Sequence, residues 1–229
     1  MMRLVAFTLS LFASTLAAAP VNPELLQRLD SAASRFQSMT ATVTYLTHTE
    51  VIDENTTETG SVLMKRVAPG EVQGLINFTA PNQRSVTFEK RSVQIYFPKI
   101  NTLQVYDLEK HGEQLDKFLM IGFGTSGSEL AKDYNMTLLG TEAVTGTPGS
   151  QAIRLELIPK SGEAREYVKK VELWIPDHGD PYPLREKITE PSGDSRTMTY
   201  GDLKINPPLQ PEALKLKLPP GVKTEHPGK

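Results

Sequence analysis

The apolar positions of this chain keep helical spacing once and then switch to alternation. Behind Asn22-Pro23, Leu25, Leu26, Leu29, Ala32, Ala33 and Phe36 recur every three to four residues. Asn22 can accept from a free amide of a first turn, and Pro23 sits where a missing N–H costs nothing. The spacing predicts an amphipathic helix over 23–39. From Ala41-Val43-Tyr45 the period is two, as in a strand buried on one face. Further strands are predicted over 61–67, 72–79, 84–89, 93–97 and 102–108. A polar turn at 53–60, then Pro69-Gly70, Pro81-Asn82, Lys90-Arg91 and a turn at 98–101 separate them. These connections are short, so neighbouring strands should run antiparallel. Val72, Ile76 and Phe78 share one face, as do Val86 and Phe88, and Val93, Ile95 and Phe97.

The segment 110–135 breaks this rhythm. Leu115, Phe118, Leu119, Met120, Ile121 and Phe123 cluster there, and a glycine-rich stretch covers 122–127. Ser126 and Glu129 have capping-box spacing for a short helix over 128–134. Strands resume over 136–140, 152–158, 168–175, 184–189 and 196–203, with turns at 145–150, 159–165 and 177–183. Leu214, Leu216 and Leu218 alternate with lysines before Pro219-Pro220-Gly221. No linker interrupts this series, which predicts one mainly β (α+β) domain of about eleven strands with a few helices. An antiparallel sheet this wide must curl or be covered on its apolar face. Partial curling leaves a hollow that an apolar ligand could fill, with the 115–123 segment as its cover. Equally, these side chains could complete a dry core. Alternation reveals a buried face and not what fills it.

The first nineteen residues change the setting. One arginine precedes an apolar run over 4–16, and Ala17-Ala18-Ala19 lead to Pro20. This is the pattern of a cleaved secretory signal, and the run is too short to span a bilayer. Residues 20–229 are then an exported chain. Arg3 is the only charge removed, which leaves 24 basic against 27 acidic residues, a net of −3. No basic excess points to nucleic acid or to an anionic membrane. The chain has no cysteine, which excludes disulfides, zinc–thiolate sites and a lipidated N-terminal cysteine. An exported chain without disulfides fits a bacterial periplasm. Asn55, Asn77 and Asn135 open Asn-x-Ser/Thr triplets, read here as unmodified. No long apolar stretch follows residue 19.

Candidate chemistry is thin. Gly122-Phe123-Gly124-Thr125-Ser126-Gly127 matches G-x-G-x-x-G, but a dinucleotide site needs a parallel strand before it and a βαβ unit around it. His48, His111, His178 and His226 stand far apart, so no metal-ligand spacing exists. Ser126 and Ser128 do not form G-x-S-x-G, and no carboxylate pair is placed for acid–base work. Trp174, the single tryptophan, reads as core. No cofactor, metal or catalytic group is expected. A hydrolase with an unrecognised serine or acid would need a polar constellation inside the hollow.

The order of these elements is similar to that of the periplasmic outer-membrane lipoprotein carriers, the LolA-like family. The likeness is carried by the first helix running into Ala41-Thr42-Val43-Thr44, by Gly60 followed by Lys65-Arg66, and by Ile76-Asn77-Phe78-Thr79-Ala80-Pro81. Val86, Val93-Gln94-Ile95-Tyr96-Phe97-Pro98 and the end Leu216-Lys217-Leu218-Pro219-Pro220-Gly221-Val222 continue it. The resemblance implies a half-open antiparallel β-barrel closed by an N-terminal helix and a helical lid. It implies a monomeric, non-enzymatic carrier of lipoprotein acyl chains between an inner-membrane ABC exporter and an outer-membrane acceptor. A lipid or glycolipid carrier, or an envelope sensor, on the same half barrel is the alternative. Arg66 matches a basic position that helps hold the lid, and Ile76 and Phe78 match wall positions. With Val86, Phe88 and Phe97 on the wall and Leu115, Phe118, Leu119, Ile121 and Phe123 on the cover, they form the candidate ligand site. Glu89-Lys90 and Gln94 depart from the family, which often has Asp-Gly and tryptophan at these places.

Overall fold

The computed structural model describes residues 19–89, 92–108, 120–144 and 151–227. The expected signal segment up to residue 18, the expected turns at 90–91 and 145–150, and Leu115, Phe118 and Leu119 lie outside the described residues. Helix α1 spans Pro23–Arg35. The Asn22 side chain accepts from the Leu25 amide at 2.8 Å, and Leu25, Leu29, Ala32 and Ala33 are buried. The helix stops before Met39, because Phe36 is already extended. Asn206 accepts from the amides of Gln37 and Ser38 through its side chain. That contact turns the chain into the next strand, where Met39 is buried as a sheet residue.

The strands are β1 (Ala19–Pro20), β2 (Ser38–Thr49), β3 (Glu54–Ala68), β4 (Glu71–Ala80), β5 (Arg84–Glu89), β6 (Ser92–Phe97), β7 (Thr102–Asp107), β8 (Tyr134–Ala143), β9 (Gln151–Pro159), β10 (Lys170–Pro176), β11 (Arg185–Thr189), β12 (Ser195–Ile205) and β13 (Lys223–Glu225). Helix α2 is Gly127–Asp133, and α3 is Gly162–Tyr167, where a turn was expected. The polar 53–60 stretch is not a turn. A single 3-10 turn at Glu50–Ile52, with Asp53 at φ 48°, reverses the chain. Thr56, Thr57 and Thr59 then pair with Thr47, Leu46 and Thr44. Threonine is β-branched, so polar alternation here still makes strand.

Among the described residues all strands belong to one thirteen-stranded sheet, in the order β1-β8-β9-β10-β11-β12-β2-β3-β4-β5-β6-β7-β13. Neighbours are antiparallel except β13, which runs parallel to β7. The sheet ends on β1 and β13, which do not pair, so it is a half-open barrel rather than a closed one. The two strands beyond the expected eleven are these short end strands. The Leu214–Leu218 alternation is not a strand either. A 3-10 turn at Pro211–Leu214 buries Leu214 completely. The closing strand comes later, where Asn101 accepts from the Lys223 amide at 3.0 Å and its side chain donates to the Gly221 carbonyl at 3.1 Å.

The apolar face is concave and carries two clusters. One joins Phe36, Met39, Val62, Met64, Val72, Phe88, Met120 and Phe123. The other joins Leu25, Leu29, Ile121 and Leu130 to Leu155, Leu157, Val171 and Leu173. Helices α1 and α2 and the 120–124 turn therefore lie over the inner face. Trp174 is buried on the outer face, with Val144 and Ala152. The Arg154 and Arg185 guanidiniums stand 5.2 and 5.3 Å from its ring.

Candidate functional site

The register places the inner face in rows across the sheet. Ala41, Val62, Ile76, Val86 and Ile95 form one row, and Met39, Met64, Gly74, Phe88 and Val93 the next. Gly74 is required in this wall. A Cβ there would stand 2.0 Å from the Phe88 ring, so the ring lies flat across the glycine. On the far side of β2, Tyr200 pairs with Val43, and Met198 with Tyr45.

These walls line a cavity of about 220 Å³ that is partly open to the outside. Met39, Tyr45, Val62, Met64, Ile76 and Phe88 form one side. Glu186, Ile188, Arg196, Met198 and Tyr200 form the other, and Phe123 covers it. A wider, more open hollow outside, lined by Tyr167, Val168, Glu190 and Pro191, shares Ile188 and Arg196 with this cavity. Those two side chains thus stand between the two hollows. Arg196 is ion-paired with Glu190 at this boundary.

The cover is an aromatic cluster on a tight turn. Phe123 lies 6.0 Å from Phe36, stacks on Tyr182 at 6.2 Å and meets Tyr200 edge-on at 5.2 Å. The amides of Phe123, Gly124 and Thr125 all donate to the Met120 carbonyl. The Arg66 Nη2 donates to the Ala33 carbonyl at 3.1 Å and to the Gly124 carbonyl at 3.0 Å. One guanidinium nitrogen thus joins β3, α1 and the cover turn. Among the described residues its Nε is buried without a hydrogen-bond partner.

Of the residues expected from sequence, Ile76, Phe88 and Phe123 line the cavity. Phe78 shares their face but packs on Tyr45 at 5.6 Å, beneath the Arg84 guanidinium at 4.0 Å. Arg84 is in turn paired with Glu58. Val86 is half-buried beside Ile76. Phe97 sits half-buried at the end of β6, opposite Thr102 and away from the cavity lining. Ile121 points instead into the cluster with Leu25, Leu29 and Leu130, where it seats the cover.

Glu186, Arg196, Met198 and Tyr200 escaped the sequence reading. Burial pushes the Glu186 carboxyl up to about 8. It also raises Tyr200 well above the usual phenol range, with Glu186 adding to the effect. Only the alternation of Met198 and Tyr200 could have signalled this wall. Among the described residues no group of three or more histidines and carboxylates converges as a metal site. None of the described helices is long and apolar enough to cross a membrane.

A half-open antiparallel sheet whose concave face is covered by an N-terminal helix and a short helical insertion is the arrangement that the resemblance to the LolA-like carriers implied. Among solved structures, an uncharacterized conserved protein from Thermus thermophilus matches over 89% of this chain and 97% of its own, at 17% identity and a TM-score of 0.52. MucB of Pseudomonas aeruginosa, solved in complex with MucA, matches over 85% of this chain and 60% of its own, at 17% identity and a TM-score of 0.48. A LolA superfamily protein from Nitrosomonas europaea matches over 84% and 96%, at 14% identity and a TM-score of 0.40. No protein-family model and no curated protein sequence matches the chain.

Proposed function

We propose that residues 20–229 form a single periplasmic carrier domain, exported by a signal that is cleaved near Ala19. It buries acyl chains of lipoproteins, or of another lipid, and passes them from an inner-membrane ABC exporter to an outer-membrane acceptor. It works as a monomer, without cofactor or catalysis. The observation that carries this reading is an apolar cavity between a curved sheet and a cover turn that Arg66 ties to α1. Each methylene taken from water is worth about 0.8 kcal/mol, so acyl chains would bind too tightly to be released unless something competes with them. A cover that packs well on the empty barrel supplies that competition. In this reading Arg66 holds the cover, Ile76, Phe88 and Phe123 contact the chain first, and Val86, Phe78 and Phe97 extend the wall. Ile121 seats the cover, and Leu115, Phe118 and Leu119 add to it.

The test is direct. An apolar fluorophore should bind the folded protein saturably, and a fatty acid or lipopeptide should displace it. Labelled cargo should then pass to acceptor vesicles. Folded protein that binds no probe overturns the proposal. Saturable binding with no handover selects a lipid- or glycolipid-binding sensor on the same fold.

A further inference from the structure

We infer that the cavity selects acyl chains bearing an in-chain hydroxyl, and that Glu186 on β11 with Tyr200 on β12 is the pair that reads it. The inference rests on the carrier reading above. One row of the inner face runs Leu138, Leu155, Leu173, Glu186, Met198, Tyr45 across six strands. An acid stands where its neighbours are leucine and methionine. Among the described residues, the hydrogen bond to its carboxyl comes from the Tyr200 hydroxyl at 3.4 Å, the long end of the range. Arg196, the cation on the same wall, is turned to Glu190 at the boundary. Glu186 is half-buried, and a carboxyl drawn out of water with so long a single bond gains from a further partner. It lines the cavity, so an occupant can supply that partner.

The chemistry of the pair indicates which occupant. Burial keeps Glu186 protonated at neutral pH, so it offers one O–H donor and one acceptor oxygen. Tyr200 adds a hydroxyl that both donates and accepts. A hydroxyl on the ligand can accept from Glu186 and donate to the Tyr200 oxygen, closing a ring of hydrogen bonds. A carbonyl can only accept, and a plain methylene leaves the acid unpaired. A site built to hydrogen-bond a ligand group rejects the analogue that lacks it.

The experiment displaces a bound apolar fluorophore with methyl hexadecanoate and with its hydroxylated analogues, the hydroxyl placed at several positions along the chain. Wild type should prefer at least one hydroxylated chain by about tenfold. Glu186→Gln keeps a donor and an acceptor and should keep the preference. Glu186→Leu should bind the plain chain as well as wild type or better, and lose the preference. Tyr200→Phe keeps the ring against Phe123 and should weaken the preference, which secures the test if the leucine variant does not fold. Equal displacement by every chain in wild type, or an undiminished preference in Glu186→Leu or Tyr200→Phe, overturns the inference while leaving the carrier intact. A wild type that binds no fluorophore overturns the carrier reading itself.

Discussion

Arg66 and Glu186 show how far one side chain can set the behaviour of this hollow. Arg66 offers a planar fork of donors that stays charged, and its Nη2 serves two carbonyls. Arg66→Leu keeps apolar bulk but removes both bonds to Ala33 and Gly124. The closed empty form should lose roughly 1.5–3 kcal/mol, so cargo retention should rise ten- to a hundredfold. Transfer of labelled cargo to vesicles measures this, and release at the wild-type rate would show that Arg66 is idle. Glu186 sets the response to pH. Its carboxyl titrates near about 4.3 in an unfolded chain and is pushed up to about 8 in the folded one. Between these values the folded state keeps a proton that the unfolded state has released, so stability falls as pH rises through that window. Tyr200 and Tyr134, which face it, have their hydroxyls raised by burial and remain protonated there. Any other group that titrates in this window does so in both proteins, and a comparison removes it. Glu186→Gln should therefore gain at least ~1 kcal/mol over wild type at pH 8 and lose most of that advantage near pH 5. Urea midpoints at the two pH values measure it, and parallel behaviour of the two proteins would contradict it.

The elements that form the cover meet at one close contact. Gly127 opens α2 against α1, where a Cβ would stand 2.7 Å from the Leu26 carbonyl oxygen. Asp30 of α1 accepts from the Ser128 amide and hydroxyl, both at 2.9 Å. Ser126 and Glu129 complete the capping box, and those hydrogen bonds hold the Glu129 carboxyl below its usual range. Gly127→Val should lift α2 from α1. Amide exchange across 120–133 should accelerate while the strands stay protected, and the apolar probe should bind several-fold tighter because the cover competes less. Exchange that accelerates uniformly would mean that the joint supports the whole fold rather than the cover. The capping box was legible in the sequence because its two residues act on each other within one turn. The end of α1 was not, because Asn206, far along the chain, draws Gln37 and Ser38 into the sheet. The β13 strand was hidden for the same reason. Three residues without apolar alternation pair only because Asn101 fixes the segment that enters them.

Across the whole molecule, alternation made the concave face legible and left its contents open. Ile76 and Phe88 could be placed on a wall from their own strands. Glu186 could not, since Arg185-Glu186-Lys187 reads as a solvated edge. Its burial is decided by Leu173 and Met198 on either side, and by the curl that turns this row inward. The same curl fixes the size of the hollow. Cavities that hold drug-sized ligands measure roughly 300–1,000 Å³, and an engineered one of about 150 Å³ holds benzene. At about 220 Å³ this space is smaller than a whole acyl chain needs. Uptake of a long acyl chain must therefore move something. The sheet is joined by ladders on both sides of the cavity, whereas the 120–124 turn is tied by its own amides and by Arg66. The turn is the part that yields at least cost. A long-chain ligand should raise the unfolding temperature, by the equivalent of about 2.7 kcal/mol at a hundredfold excess over Kd. It should at the same time speed amide exchange in 120–133, where Phe123 leaves its place between Phe36 and Tyr182. A short ligand that fits the space as it stands should stabilise without that acceleration. Differential exchange with the two ligands separates the cases. Protection of 120–133 by both would show that the cavity enlarges by spreading its strands and that the cover stays seated.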